Sequence, residues 1–260
     1  MQFRDYLDDL VRATGFLSRL PLPARHFEGH DGSLSRASAM FAASGLLIAL
    51  PAGLLVLLLA ALEANAALSA LLALVVLIGT TGALHEDGLA DSADAFGARG
   101  GRDHMLAIMK DSRIGAYGVL ALMTSFALRA VSLTIIIATT GGLNALFILL
   151  GIAAVSRAAM TWHWSRLPPA RADGVASSVG APEPAGARFA VLTGAGLFLA
   201  FTFLATGPLT AIAALAAVAV AAAQWTAAVR ARLQGHTGDT IGATQQVTET
   251  VGLATLALLL

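Results

Sequence analysis

Seven apolar segments constrain this chain more than any other feature: residues 40–62, 66–84, 117–138, 143–162, 189–206, 208–229 and 242–260. Each approaches or reaches the roughly 20 residues that a helix needs to cross a bilayer. Backbone polar groups find no partner in hydrocarbon, so segments of this kind must be helical. Three of the connections are short and built from turn formers: Glu63-Ala64-Asn65, Thr139-Thr140-Gly141-Gly142 and Thr206-Gly207-Pro208. They predict three helical hairpins and a last single span. The expected fold is all-α, a polytopic integral membrane helical bundle of about seven transmembrane helices in one domain, residues 1–260. Charged residues are only 12% of the chain, about half the roughly 25% usual in soluble domains, which agrees with that reading.

Charge then orients the bundle. Every basic residue except Arg129 lies in the N-terminal stretch, the 85–116 loop, the 157–188 region or the 230–241 loop, and the short turns carry none. Cytoplasmic loops hold the Lys/Arg excess. The N-terminal segment 1–39 and the long loops are therefore expected in the cytoplasm of a cell (inner) membrane protein, with the active site built from those loops. The N-terminus does not read as a signal peptide, because charges interrupt its apolar residues. Residues 5–19 have helical periodicity and read as a helix packed on the cytoplasmic face. The net charge is zero, which gives no support for nucleic-acid binding. With no cysteine in the chain, thiolate metal sites are excluded.

The chemistry concentrates in His85-Glu86-Asp87-Gly88-Leu89-Ala90-Asp91-Ser92-Ala93-Asp94. Four carboxylates at the mouth of an apolar segment repel one another, and hard oxygen ligands favour Mg²⁺ or Ca²⁺. On a helix Asp87, Asp91 and Asp94 fall at i, i+4 and i+7 and share one face. They are the expected metal ligands, with Glu86, about 100° away, a weaker one. His85, Asp94 and Asp111 are the candidate general bases. Downstream, Met109-Lys110-Asp111-Ser112-Arg113-Ile114-Gly115 offers Lys110 and Arg113 for a phosphate. Glu249, inside the last segment, is expected to pair with Arg129 or Arg157, since ionisable groups within a bundle face inward and pair. Trp162, Trp164 and Trp225 read as interfacial belt residues.

The 85–116 acidic/basic loop closely resembles that of the cobalamin synthase family, the adenosylcobinamide-GDP ribazoletransferases. Two further segments are similar to family motifs: Phe16-Leu17-Ser18-Arg19-Leu20-Pro21, with Ser18 where the family usually has Thr, and Thr237-Gly238-Asp239-Thr240-Ile241-Gly242. Gln234-Gly235-His236 precedes the latter, where a Gly-Gly pair is more usual. The resemblance implies a Mg²⁺-dependent transferase that joins adenosylcobinamide-GDP to α-ribazole, or its 5′-phosphate, and releases GMP. A ribose 5′-hydroxyl would attack the corrinoid-linked phosphate. Arg19, Lys110, Arg113 and Asp239 then become the expected substrate-binding residues. The expected partners are those two substrates and the lipid bilayer, with a second copy of the chain or other cobalamin-assembly enzymes as further candidates. The alternatives are a membrane transferase acting on a prenyl or lipid diphosphate, which needs an apolar tunnel, and a divalent-cation transporter, which needs acids near mid-span.

Overall fold

The computed structural model describes residues 3–171 and 178–260; residues 172–177 of the 157–188 region lie outside them. Among the described residues the elements are α1 (Phe3–Leu17), α2 (Phe41–Ala61), α3 (Ala66–Thr81), α4 (Leu84–Gly97), α5 (Arg102–Ile108), α6 (Ala116–Arg166), α7 (Pro184–Thr206), α8 (Pro208–Leu233) and α9 (Gly238–Leu259), with no named strand. The protein is an all-helical, multi-pass membrane bundle. The expected turns end the helices as their residues dictate. Asn65 caps α3, its side chain accepting from the N–H groups of Ala67 and Leu68 at 2.9 and 3.2 Å. Pro184 and Pro208 open α7 and α8, where a missing N–H is harmless.

Straight, the 51 residues of α6 would run roughly 75 Å, more than twice a bilayer's hydrocarbon. Gly141 breaks it, at φ 79° and ψ 170°, a conformation open chiefly to glycine. The two limbs meet α9 in opposite senses. Ser125 bonds Gln246 and Thr250, and Arg129 bonds Glu249. On the second limb Ser156 meets Gln245, and Ile152 lies against Gly252. The chain therefore reverses at Gly141, and the expected hairpin forms.

By length and apolarity four helical stretches can cross a membrane: Ala37–Ala61, Ala116–Arg166, Pro184–Thr206 and Pro208–Leu233. A fifth arises only if α3 and α4, bent by 89°, are counted as one span. The count of about seven is thus not reproduced on these criteria, for three reasons. The α6 stretch contains two of the expected segments. The second segment stops at Thr81, and α4 turns away from α3 carrying its four acids beyond the apolar part. The last segment, α9, is polar on its inner side: Thr240, Thr244, Gln245, Gln246, Thr248 and Glu249 are all buried. α9 is the inner strut of the bundle, packed against α4, α6 and α8. The expected 85–116 loop is also more ordered than a loop, since it contains α4 and α5.

α1 packs on α2 as expected. Asp9, 3% exposed, holds it there: Arg36 donates to both carboxylate oxygens, at 2.7 and 3.0 Å. Arg36 therefore anchors the N-terminal helix.

Candidate active site

The acid helix is aimed by two contacts. At its start Gly82 and Ala83 both adopt left-handed backbone, φ 62° and 59°, which turns the chain out of α3. Along its length α4 crosses α9 with no room for a side chain. A Cβ on Gly88 would lie 2.6 Å from the Asp239 carbonyl oxygen and 3.1 Å from its Cα. Those atoms are backbone and cannot rotate away. Gly88→Ala is expected to destabilise the protein by about 1–3 kcal/mol, read as a lower unfolding midpoint in detergent; an unchanged midpoint would refute the tight crossing.

This crossing brings Asp239, at the start of α9, to the acid face of α4. Burial and the charges of Asp87, Asp239 and Asp94 push the Asp91 carboxyl up to about 7. Burial also raises Asp239, opposed by a hydrogen bond from Thr237 and by Arg171, and reinforced by Asp87. Asp91 thus feels the charge of Asp87 and Asp94 from its own helix and of Asp239 from α9. Asp239 is not the helix cap: Thr237, not Asp239 or Thr240, is the N-cap of α9, and its hydroxyl accepts from the Thr240 N–H in a capping box.

Asp94 has a different task from the one expected. Its two oxygens accept from the N–H groups of Gly115 and Gly118, at 2.7 and 2.8 Å. It thus caps α6 from a neighbouring helix. A Cβ at either glycine would collide with that carboxylate, which explains both glycines. As metal ligand or general base Asp94 is poorly available. Asp111 is engaged as well. Arg113 clamps it with Nε at 3.0 Å and Nη2 at 2.5 Å, and these bonds hold its carboxyl down at about 2, too weak a base to take a hydroxyl proton. Both groups lie at the surface, on the same short segment as exposed Lys110. The segment meets the acids at each end: the Thr237 hydroxyl that donates to Asp239 at 3.1 Å lies 3.8 Å from Met109 Sδ, and Gly115 meets Asp94.

Glu86 points inward, away from the acids. Its Oε1 accepts from Arg129 at 3.3 Å and from Gln246 at 3.0 Å. Arg129 also donates to Glu249 at 3.0 Å, one of the two pairings expected for Glu249. Glu86 is therefore part of the buried network under the site, not a ligand in it. His85 is 1% exposed. Burial, then Arg157 and Arg129, hold its pKa well below the usual value, so it is neutral and a weak base.

Two cavities open on Asp87. One, of about 230 Å³, has Phe16, Phe41, Trp164, His85, Asp87 and Asp239 in its wall. The other, of about 440 Å³, is lined by Arg19, Ser18, Thr81 and Asp87. The Arg19 N–H donates to the Thr80 carbonyl at 2.8 Å, and its side chain lies over Gly82. The guanidinium thus sits by the opening that Asp87 shares. Trp164 is not a belt residue: it is 2% exposed and packs at a tilt against Phe41, ring centroids 6.2 Å apart. Sequence reasoning missed Phe16, Phe41 and Thr237 as parts of this site.

The model of the cobalamin-5-phosphate synthase family matches residues 9–257. The chain belongs to that family. It is 49% identical to the adenosylcobinamide-GDP ribazoletransferase of a Sinorhizobium species, over 98% of this chain and 97% of the relative. It is 49% identical to that of Sinorhizobium medicae over 99% and 98%, and 40% identical to that of Brucella ovis over the full length of both. No solved structure matches. The family match spans every residue of the site, from Phe16 to Gly242.

The two departures from the family's motifs are accommodated locally. Ser18 donates to the Thr14 carbonyl at 2.7 Å and accepts from the Leu20 N–H at 3.3 Å, bonds that a threonine hydroxyl makes equally well. Gln234 adopts φ 56°, where a non-glycine residue is strained. Gly235 is retained where space requires it, because a Cβ there would lie 2.7 Å from Ala170 backbone.

Proposed function

We propose that the carboxylate site transfers the corrinoid phosphate of adenosylcobinamide-GDP to α-ribazole, releasing GMP in a late step of cobalamin nucleotide-loop assembly. The observation that carries this is the placing of Asp87 and Asp239 in the wall of an aromatic-lined cavity, with Asp91 under the charge of both, in a chain of this family. A ribose hydroxyl attacks the corrinoid-linked phosphorus. A new P–O bond forms, the bond to the GMP phosphate breaks, and the hydroxyl proton goes to a carboxylate. The family's name, which specifies a 5-phosphate, changes the expected attacking group. An acceptor that keeps a phosphate at its 5′ position must attack through another ribose hydroxyl.

Among the described residues no group of three acid or histidine side chains stands ready to hold a metal. A Mg²⁺ held here would rest on one or two carboxylates and complete its shell with water and substrate phosphate oxygens. Asp87 and Asp91 are the pair with the right chemistry: a carboxyl raised to about 7 by its neighbours is one that a cation returns to its anionic form. Bound there, Mg²⁺ would offset the charge of the pyrophosphate. Asp239, at the cavity wall with its pKa raised by burial, is the better general base now that Asp94, Asp111 and His85 are engaged or too weak. Arg19, Lys110 and Arg113 supply positive charge for the phosphates. The reaction faces the cytoplasm from the inner membrane, the side that carries the basic residues. Incubating purified protein with adenosylcobinamide-GDP, α-ribazole and Mg²⁺ is expected to yield GMP and a complete corrinoid; folded protein that gives neither would overturn the proposal.

A further inference from the structure

Two further cavities meet on the far side of α6 from the acids. Trp162 and Trp164 are two residues apart, so they leave that helix about 200° from each other. Trp164 lines the cavity at Asp87, and Trp162 lines both of the others. The deeper one, of about 230 Å³, is a groove between α6, α7 and α8, walled by apolar residues such as Val155, Ala159, Ala195, Leu215 and Ala219. The outer one, of about 510 Å³, has Arg166 and Arg188 in its wall. Trp162 and Val191 line both, so the two are continuous. The groove opens sideways: Ala219 is exposed, and Trp162, Val191, Ala195 and Leu215 are half-buried. No residue of this pair lines either cavity on Asp87.

The helices set the depth of each part. From Arg166 back to Val155 α6 covers about 16 Å, and from Arg188 to Ala195 α7 covers about 10 Å in the same direction. The groove thus runs from the membrane surface about half-way through the roughly 30 Å of hydrocarbon. Trp162 stands between the two parts, at the headgroup level that tryptophan favours, which is the belt position expected of it. The Arg166 Cζ lies 5.5 Å from the centre of the Trp162 ring. Arg230 donates to the Arg166 carbonyl at 3.2 Å, which brings a third guanidinium to the rim. Among the described residues none of these three arginines has a carboxylate within ion-pair distance. The charge of Glu183, between Pro182 and Pro184, acts on Arg36. A positive rim over an apolar groove at this depth matches an anion that carries a hydrocarbon chain. A free phosphate would leave the groove empty, and an apolar helix would leave the guanidiniums unmatched. We propose that the two cavities bind one anionic phospholipid of the leaflet on the acid-site side, its phosphate held by Arg166 and Arg188 and one acyl chain lying in the groove.

Binding at this site does not depend on the transfer reaction, so the test reads binding alone. Native mass spectrometry of the purified protein, mixed in detergent with phosphatidylglycerol or with phosphatidylcholine of the same acyl chains, counts the lipids retained. The wild type is expected to keep one phosphatidylglycerol per chain, roughly 30-fold more tightly than phosphatidylcholine, the value of two arginines facing an anionic headgroup. Arg166→Gln combined with Arg188→Gln should remove that preference. Ala219→Phe fills the groove from its exposed side and keeps both arginines; it should weaken phosphatidylglycerol about 10-fold, the value of about two methylenes of chain. Glycerol phosphate, a headgroup without chains, should not displace the lipid even in large excess. Equal retention of the two lipids by the wild type would overturn the proposal, as would a preference that survives in the double variant, full retention by Ala219→Phe, or displacement by glycerol phosphate. A wild-type dimer that carries no lipid would overturn it in favour of a second copy of the chain in the groove. If a variant fails to fold, the two lipids and glycerol phosphate on the wild type decide alone.

Discussion

Asp87→Asn is expected to lower turnover roughly 10³-fold, the scale lost when an electrostatic group at a reacting centre is removed, and to leave the protein folded. Asp87 lines both cavities and lies closest in charge to Asp91 and Asp239, raising the pKa of each. The substitution removes one negative charge from a repelling group, so folding should lose nothing. Asn keeps the size of the side chain and offers a neutral oxygen that holds a hard cation poorly. The measurements are GMP release and the unfolding midpoint in detergent. Near-normal turnover would exclude Asp87 from the site. A lowered midpoint would show that its charge serves the fold. Asp94→Asn provides the contrast: because Asp94 accepts backbone N–H groups of α6 with both oxygens, stability should fall along with activity.

Arg129→Met should have the largest effect on stability, a loss of about 3–5 kcal/mol, because it leaves buried carboxylates without their cation. Arg129 is 2% exposed and touches both Glu86 and Glu249. Gln246 and Gln245 complete the network by donating to those same carboxylates. Adding Glu86→Gln and Glu249→Gln to the variant removes the unpaired charges and is expected to recover most of the stability. Thermal unfolding of the single and triple variants in detergent reads both. If the single variant unfolds like the wild type, the network does not hold α4. Because Glu86 adjoins Asp87 on α4, loss of the pair should also shift the acids and reduce turnover in the single variant.

What could be read in advance was local. The apolar runs, the turn residues and the spacing of Asp87, Asp91 and Asp94 follow from helical periodicity within one segment, and the structure contains all three. The resemblance singled out Arg19 and Asp239, which lie far apart in the chain, and both line cavities that open on Asp87. What was missed depends on contacts between distant segments. Asp94 serves glycines 21 and 24 residues away, and no periodicity reports that. Glu86 looks like a ligand beside Asp87 until Arg129, 43 residues on, is folded against it. Trp164 lies at the end of an apolar run, as belt residues do, and only the packing of Phe41 and the N-terminal helix over it makes it an inner wall. α9 is apolar enough on average to resemble a span, but Thr240, Thr244, Gln245, Gln246, Thr248 and Glu249 turn inward and are buried beneath the site. The Asp111–Arg113 clamp was local yet hidden, because their spacing of two is not a helical contact and the segment turns there.

The most direct measurement is the Mg²⁺ dependence of GMP release by the purified protein with adenosylcobinamide-GDP and α-ribazole. A carboxylate site that works through Mg²⁺ gives no release in chelator, full release when Mg²⁺ is restored, and a higher Mg²⁺ requirement in Asp91→Asn. Release in chelator at the rate seen with Mg²⁺ would contradict it.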